Sequence, residues 1–447
     1  MNIRSVLLLI FIFNIAILAQ SKLTLDESIK IALQKNSTVI KSVNSIEADK
    51  SNIKSSYGNF LPNFGLRGSW NWQKVQDKGT TQLNEFGDYV GRPETTIDSR
   101  SYGLSAGGSW TLFDGLSSFA TLDRSKNNYY AAKLSLEKLK QDIVYQTTEL
   151  YYTVLNMQKM LSVRDENLKY NKRLLETIQE RNKLGAASLA DLYAQQVQYG
   201  NAELQHIQTA NEYETSKSNL LNFLSLDVLK EYEFEIPFDE SKIDTKSLTS
   251  EFDSIEQMVN DALTNRADYK GQKLLLETAY NNITIAKSNL YPNLSGNYSF
   301  STNSIEVGDL FDRKIWSVGL SLNIPVFSGW ATESAIEQAE IQAKNSNEDL
   351  LSLERKIKIE IKQSYQDLIA AKKQLEVSSK NVISAEENRK LYNEKYTLGG
   401  GTILDVMQAD KNYVDAQRAY IDSEFLFFKM KDKLVNALGK LDYKKYE

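Results

Sequence analysis

The sequence predicts an exported α+β membrane protein in which one plan, a long helical hairpin joined to a pair of strands, is used twice. Three observations predict it. Residues 116–184 and 330–398 are 69-residue stretches without Gly or Pro. Four shorter runs alternate apolar and polar residues. Marker residues also recur in register half a chain apart. Composition narrows the chemistry further. The 447 residues include no Cys, one His and five Pro. Disulfides, thiolate nucleophiles, Cys-ligated metals and a lipid-modified N-terminal Cys are therefore excluded. A net charge of −5 argues against a nucleic-acid partner.

Residues 1–19 read as a signal peptide, with Arg4 ahead of the apolar run Val6 to Ala19. At 1.5 Å per residue that run reaches about 21 Å, short of the roughly 30 Å needed to cross a bilayer as a helix. The first repeat, 20–225, opens with helix near 24–58 and turns at Leu61-Pro62-Asn63. Two alternating runs follow. Phe64, Leu66, Trp70 and Trp72 lie on one face of the first, and Tyr102, Leu104, Ala106, Trp110 and Leu112 on one face of the second. Runs of roughly nine to eleven residues have the length of tilted membrane strands. Residues 74–100 read as a surface loop.

The long helix then carries apolar residues every seven positions: Leu136, Ile143, Leu150 and Met157, then Leu161, Leu168 and Leu175 after a four-residue step. That spacing keeps a narrow seam on one side of the helix, as in a coiled coil, and the four-residue step unwinds it locally. Helices of this size are about 100 Å long. Each ends at a glycine tip, Leu184-Gly185 and Leu398-Gly399, where Gly suits a left-handed cap and Ser188 or Thr402 suits the N-cap of a returning helix.

An acidic connector, 226–253, has nine acidic and three basic residues around Pro237. The second repeat, 254–438, follows, and 439–447 is a tail. Ala32-Leu33 recurs as Ala262-Leu263, and Leu61-Pro62-Asn63 as Tyr291-Pro292-Asn293, at an offset of 230. Phe113-x-Gly115 recurs as Phe327-x-Gly329, Leu184-Gly185 as Leu398-Gly399 and Asp191 as Asp405, at 214. In the second repeat the seam runs through Ile361, Leu368, Leu375 and Val382, skips Arg389 and resumes at Tyr396. Its strands alternate on Leu294, Tyr298 and Phe300, and on Trp316, Val318, Leu320, Leu322 and Ile324. The polar faces are mostly Ser, Asn, Thr and Gly, with Arg67 the main charge, which suits a water-filled lumen as well as a solvent-facing surface. Four strands cannot close a barrel, and an open edge in lipid leaves backbone groups unpaired at several kcal/mol each. Strands that cross a membrane would thus need other chains.

In this order of motifs the mature chain resembles the TolC-like outer-membrane efflux family. The resemblance implies a homotrimer in which four transmembrane strands per chain contribute to a 12-stranded barrel, with duplicated coiled-coil hairpins forming a periplasmic tunnel. It implies outer-membrane lipid around the barrel. It also implies a periplasmic adaptor and an inner-membrane RND or ABC transporter docked at the helical tips Leu184, Gly185, Leu398 and Gly399. No cofactor, metal or catalytic residue is implied. Gly399, Thr402, Ile403 and Asp405 match the family's gate pattern, while Gln408 stands at its second acidic position. The gate would then be a single ring of three Asp405 carboxylates, favouring cations and raising one another's pKa. Tyr396 and Asp191 match a Tyr and an Asp that tie neighbouring coils in relatives, but the accompanying Arg position is Gly401. Pro62 and Pro292 mark the helix-to-strand junctions. On residues alone, Asp405 and Asp191 equally suit the first turn of a helix, where a carboxylate is favoured by roughly 0.3–1 kcal/mol. His206 reads as a structural helix residue. The function implied is the outer-membrane exit duct of a tripartite efflux pump. The alternatives are the outer-membrane component of a type I protein secretion system and, in a different class, a soluble periplasmic coiled-coil scaffold.

Overall fold

The computed structural model describes residues 21–91, 93–237 and 254–446, so the signal segment 1–19 and connector residues 238–253 lie outside the described residues. Its helices come in pairs of equal length. α1 (Leu25–Lys35) and α2 (Ser37–Gly58) have 11 and 22 residues, as do α5 (Ile255–Asn265) and α6 (Ala267–Ser288). The long helices α3 (Ser117–Lys183) and α7 (Ala331–Thr397) each have 67 residues, and the return helices α4 (Leu189–Phe223) and α8 (Ile403–Ala437) each have 35. Capping boxes start α1, α4, α5 and α8, with Thr24, Ser188, Ser254 and Thr402 as N-caps. Each satisfies two backbone donors that the first helical turn leaves free.

The opening helix of each half, expected from the sequence to be continuous near 24–58 and near 252–289, is broken in two. The breaks fall at Asn36 and Arg266, both extended C-caps. Neither is Gly or Pro. Each is held by what its side chain does: Asn36 Nδ2 donates to the Phe223 carbonyl at 3.1 Å, and Arg266 Nη1 to the Ala437 carbonyl at 2.9 Å. Both carbonyls lie at the end of a return helix, where four carbonyls lack helical partners. Arg266 also forks onto Asp268 at 3.0 and 2.7 Å and reaches Glu360 at 2.8 Å. Burial works against its charge, but the hydrogen bonds and charges of Asp268 and Glu360 outweigh burial and raise its pKa.

The chain divides into two compact units. The first contains residues up to Asn44, Leu134–Lys270 and Leu351 onward. Its core joins Tyr151, Leu155, Leu220, Leu224, Phe425, Leu23 and Phe234. A short parallel pair, β1 (Ser21–Leu23) and β6 (Tyr232–Phe234), packs on it. The Tyr151 hydroxyl lies 2.8 Å from the Leu23 carbonyl and accepts the Glu235 N–H at 3.1 Å, tethering both strands. Burial pushes this phenol up to about 12.

The second unit, Ser45–Lys133 and Gly271–Leu350, carries an antiparallel sheet in the order β2-β5-β7-β8. These strands are β2 (Gly65–Asp77), β5 (Thr95–Phe113), β7 (Asn293–Ser304) and β8 (Lys314–Asn323). Within the expected surface loop 74–100, β2 and β5 continue pairing out to Asp77 and Thr95. A further hairpin, β3 (Thr81–Leu83) with β4 (Tyr89–Gly91), occupies the span between them. The sequence obscures this extension because Thr95 to Ser101 lacks a run of apolar alternation. On one face of the sheet Leu66, Trp70, Trp316, Val318 and Leu320 are 61 to 87% exposed, so no layer of the described residues covers it. The opposite face carries Gly65, Ser105, Ser299, Ser317 and their like. Among the described residues no helix is long and apolar enough to cross a membrane.

The Pro junctions sit at the base of this sheet. After Pro62, Asn63 bonds both ways with Ser109: its N–H donates to the Ser109 carbonyl at 2.9 Å, and its Oδ1 accepts the Ser109 N–H at 2.8 Å. The Tyr298 hydroxyl donates to the Asn63 carbonyl. Gly108 allows this approach, since a Cβ there would lie 1.8 Å from the Asn63 oxygen. Pro292 directly precedes β7.

Candidate functional site: the helical tips and the polar layer behind them

The tips are built from glycine and capping residues. Gly185 and Gly399 adopt φ of 72° and 78°, a left-handed conformation that costs other residues roughly 1–2 kcal/mol. They end α3 and α7, and Ser188 and Thr402 then start α4 and α8. Beneath the turns, Ile178, Ile403 and Val406 form a buried cluster edged by Leu174, Leu192, Tyr396 and Met407. It joins both hairpins. Leu184 and Leu398 point away from it and are 83 and 86% exposed.

The proposed gate carboxylates serve first as caps. Asp405 accepts from the Thr402 hydroxyl at 2.8 Å and from its backbone N–H at 3.0 Å. Those two hydrogen bonds, the hydroxyl's first, hold its carboxyl below the ordinary carboxylate value. Asp191 accepts the Ser188 N–H at 3.2 Å. Gln408 donates to Asn412 at 2.8 Å. Tyr396 has an Arg near it although Gly401 supplies none: the Arg181 guanidinium lies over the Tyr396 ring at 5.2 Å and its Nη2 is 3.4 Å from the Thr397 carbonyl. Arg181 comes from the other hairpin, in the basic last turn of α3. Within the chain the structure thus brings Tyr396, Ile403 and Arg181 to one place, and leaves Asp405 exposed on the first turn of α8, Gln408 exposed on its second turn and Asp191 half-buried on the first turn of α4.

Sequence reasoning missed a polar layer behind the tips that links all four coils. Gln195 of α4 donates to Asn171 Oδ1 of α3 at 3.0 Å. Asn171 and Asn167 donate to Asp410 Oδ2 of α8 at 3.2 and 2.9 Å. Arg389 Nε of α7 faces Asp410 Oδ1 at 3.0 Å. This last contact is off the N–H axis, an ion pair rather than a directed hydrogen bond. The guanidinium lies between the rings of Tyr170 and Tyr413, at 3.9 and 4.8 Å, and the Tyr170 hydroxyl donates to Asn393 of α7 at 2.7 Å. Gln195, Asn171 and Asp410 are at most 2% exposed. Burial raises the Asp410 pKa, opposed by Arg389 and the two Asn side chains. A buried polar residue in a coiled-coil seam fixes register, because sliding would leave it unpaired. The signal was the seam position occupied by Arg389.

Long paired hairpins, exposed apolar tips and a sheet with a bare apolar face have counterparts in known proteins. The outer membrane efflux protein family model matches residues 28–225 and 258–440. The chain belongs to the outer membrane efflux protein family. It is 22% identical over 333 residues to the outer membrane protein TolC of Vibrio cholerae, covering 73% of this chain and 74% of that protein. It is 22% identical over 424 residues to the probable efflux pump outer membrane protein TtgC of Pseudomonas putida, covering 93 and 82%. The solved structure of VceC from Vibrio cholerae superposes with a TM-score of 0.77 at 16% identity, over 93% of this chain and 96% of that one. This outer membrane efflux protein therefore has the fold of those channels, and its helical part lies in the periplasm.

Proposed function

We propose that this efflux protein is the passive exit duct of a tripartite pump, with no chemistry at the channel and with energy supplied by an inner-membrane partner. The observation that carries the reading is the four-stranded sheet with one bare apolar face, one polar face and two open edges. Lipid covers the first, water fills the second, and strands of two further copies close the third, giving a 12-stranded barrel. Backbone groups on a lipid-exposed edge would otherwise cost several kcal/mol each. The two structural repeats, 20–225 and 254–438, each supply one strand pair and one hairpin. The exposed Leu184 and Leu398 at the glycine tips suit a periplasmic adaptor. Asp405 forms the gate ring in the trimer, with Gln408 as its uncharged neighbour, and Asp191 and Tyr396 lie at the coil contacts around it. Arg181 stands in for the missing tip Arg, and the Arg389–Asp410 layer holds the resting register.

Planar-bilayer conductance of the purified protein tests this. Wild type forms a cation-preferring channel, and Asp405→Asn weakens that preference. A wild type that never conducts removes the duct reading; an Asp405→Asn channel of unchanged selectivity removes Asp405 from the gate alone.

A further inference from the structure

The polar face of the sheet carries one cationic side chain, Arg67. Cross-strand register places Arg67 opposite Ser105, which faces Ser301 on β7. Its neighbours on that face are Gly65, Ser69, Gly103 and Gly107, none larger than a hydroxymethyl group. Along the four strands the remaining positions of this face are Ser, Asn, Gly, Thr and Gln with a few apolar residues at strand ends, and Asp77 at the far end of β2 is the other charge. Arg67 is exposed, and no carboxylate of the described residues pairs with it. It also borders a shallow groove of about 400 Å³ with Tyr298 and Ser317.

An unpaired guanidinium is disfavoured on a lipid face. On the polar face it stands unobstructed among small polar residues. Its five N–H donors match the geometry of carboxylate and phosphate oxygens.

We propose that Arg67 is a selectivity residue of the barrel lumen, a cationic collar that draws oxyanion-bearing solutes, carboxylates or phosphates, into the duct. The proposal rests on the duct reading above, in which three copies place three such guanidinia around one lumen. The field of each reaches about 10 Å at 0.1 M salt, so the collar acts most strongly in dilute salt.

The test compares wild type, Arg67→Gln and Arg67→Lys in planar bilayers under a KCl gradient at low salt, with inorganic pyrophosphate as the oxyanion probe. Arg67→Gln is expected to move the reversal potential toward the potassium limit and to lose the current reduction that pyrophosphate causes in wild type. Arg67→Lys retains the wild-type reversal potential and part of the block. Because the chain has no Cys, Arg67→Cys gives an independent readout. A cationic water-soluble thiol reagent restores the wild-type reversal potential, and a neutral one of equal size does not. A conducting Arg67→Gln channel with unchanged reversal potential and unchanged pyrophosphate response overturns the collar while leaving the duct intact. No conductance from wild type overturns both.

Discussion

Asp432, half-buried on the last turns of α8, shows what a single carboxyl does to stability. Burial pushes it from 3.8 up to about 6, against the pull of Lys431, and it faces Tyr145 and Tyr152 of α3 and Tyr446 of the C-terminal turn. The folded chain therefore keeps this proton to higher pH than the unfolded chain, and stability falls as pH rises from about 4 through about 6. Asp432→Asn should stabilise the fold at pH 8 by about 2–3 kcal/mol at most, read as a higher thermal midpoint in detergent, and leave that midpoint unchanged at pH 4. Equal effects at both pH values would mean that packing, not charge, governs the site. The Arg389–Asp410 pair behaves differently, because each charge is the other's compensation. Asp410→Ala leaves a guanidinium between two rings and two Asn donors without an acceptor, with an expected loss of about 3–5 kcal/mol. The double change Arg389→Met with Asp410→Leu should cost less than Asp410→Ala alone, measured as denaturation midpoints. The sequence showed Arg389 as a gap in the apolar seam, but its partner is 21 positions away across a turn, and nothing in the spacing singles out Asp410 from Asp405.

At the scale of the element, the tips were legible because glycine and capping residues act locally. Leu-Gly followed by Ser or Thr with Asp three positions on needs no tertiary context to stop one helix and start the next. The strand extensions and the breaks at Asn36 and Arg266 depend on partners far along the chain, so local patterning left them hidden. The tip offers a direct contrast between neighbouring glycines. Gly399 has φ of 78° with open space where a Cβ would go, so Gly399→Ala is opposed by backbone conformation alone, about 1–2 kcal/mol. At Gly400 a Cβ would make an ordinary 3.8 Å contact with the Lys395 carbonyl, and φ is not in the left-handed range. Gly399→Ala should therefore speed amide exchange across 395–404, while Gly400→Ala leaves it near wild type. Similar exchange in both would mean the turn is not held by its left-handed residue.

At the scale of the molecule the open edges of the sheet decide the assembly. Within one chain β2 and β8 are the outer strands of the order β2-β5-β7-β8, and among the described residues neither has a partner strand on its outer edge. Strand directions alternate across the sheet, so β8 of one copy meets β2 of the next antiparallel, as closure of a single barrel requires. The duplication is what makes this possible, since each repeat adds an antiparallel strand pair and the pairs tile without reversing direction. The native chain has no thiol, so a Cys pair placed on these edges reports contact without background. Ser69→Cys on β2, combined in turn with Ser317→Cys, Gly319→Cys and Ser321→Cys on β8, scans the register between copies. At least one pair should give disulfide-linked dimers and a covalently closed trimer under oxidising conditions, both lost on reduction. Ser109→Cys, on the interior strand β5, paired with the same β8 positions should give no intermolecular link. If detergent-purified, folded protein shows no cross-link for any β2–β8 pair, the two edges do not meet and the barrel is not closed by copies of this chain.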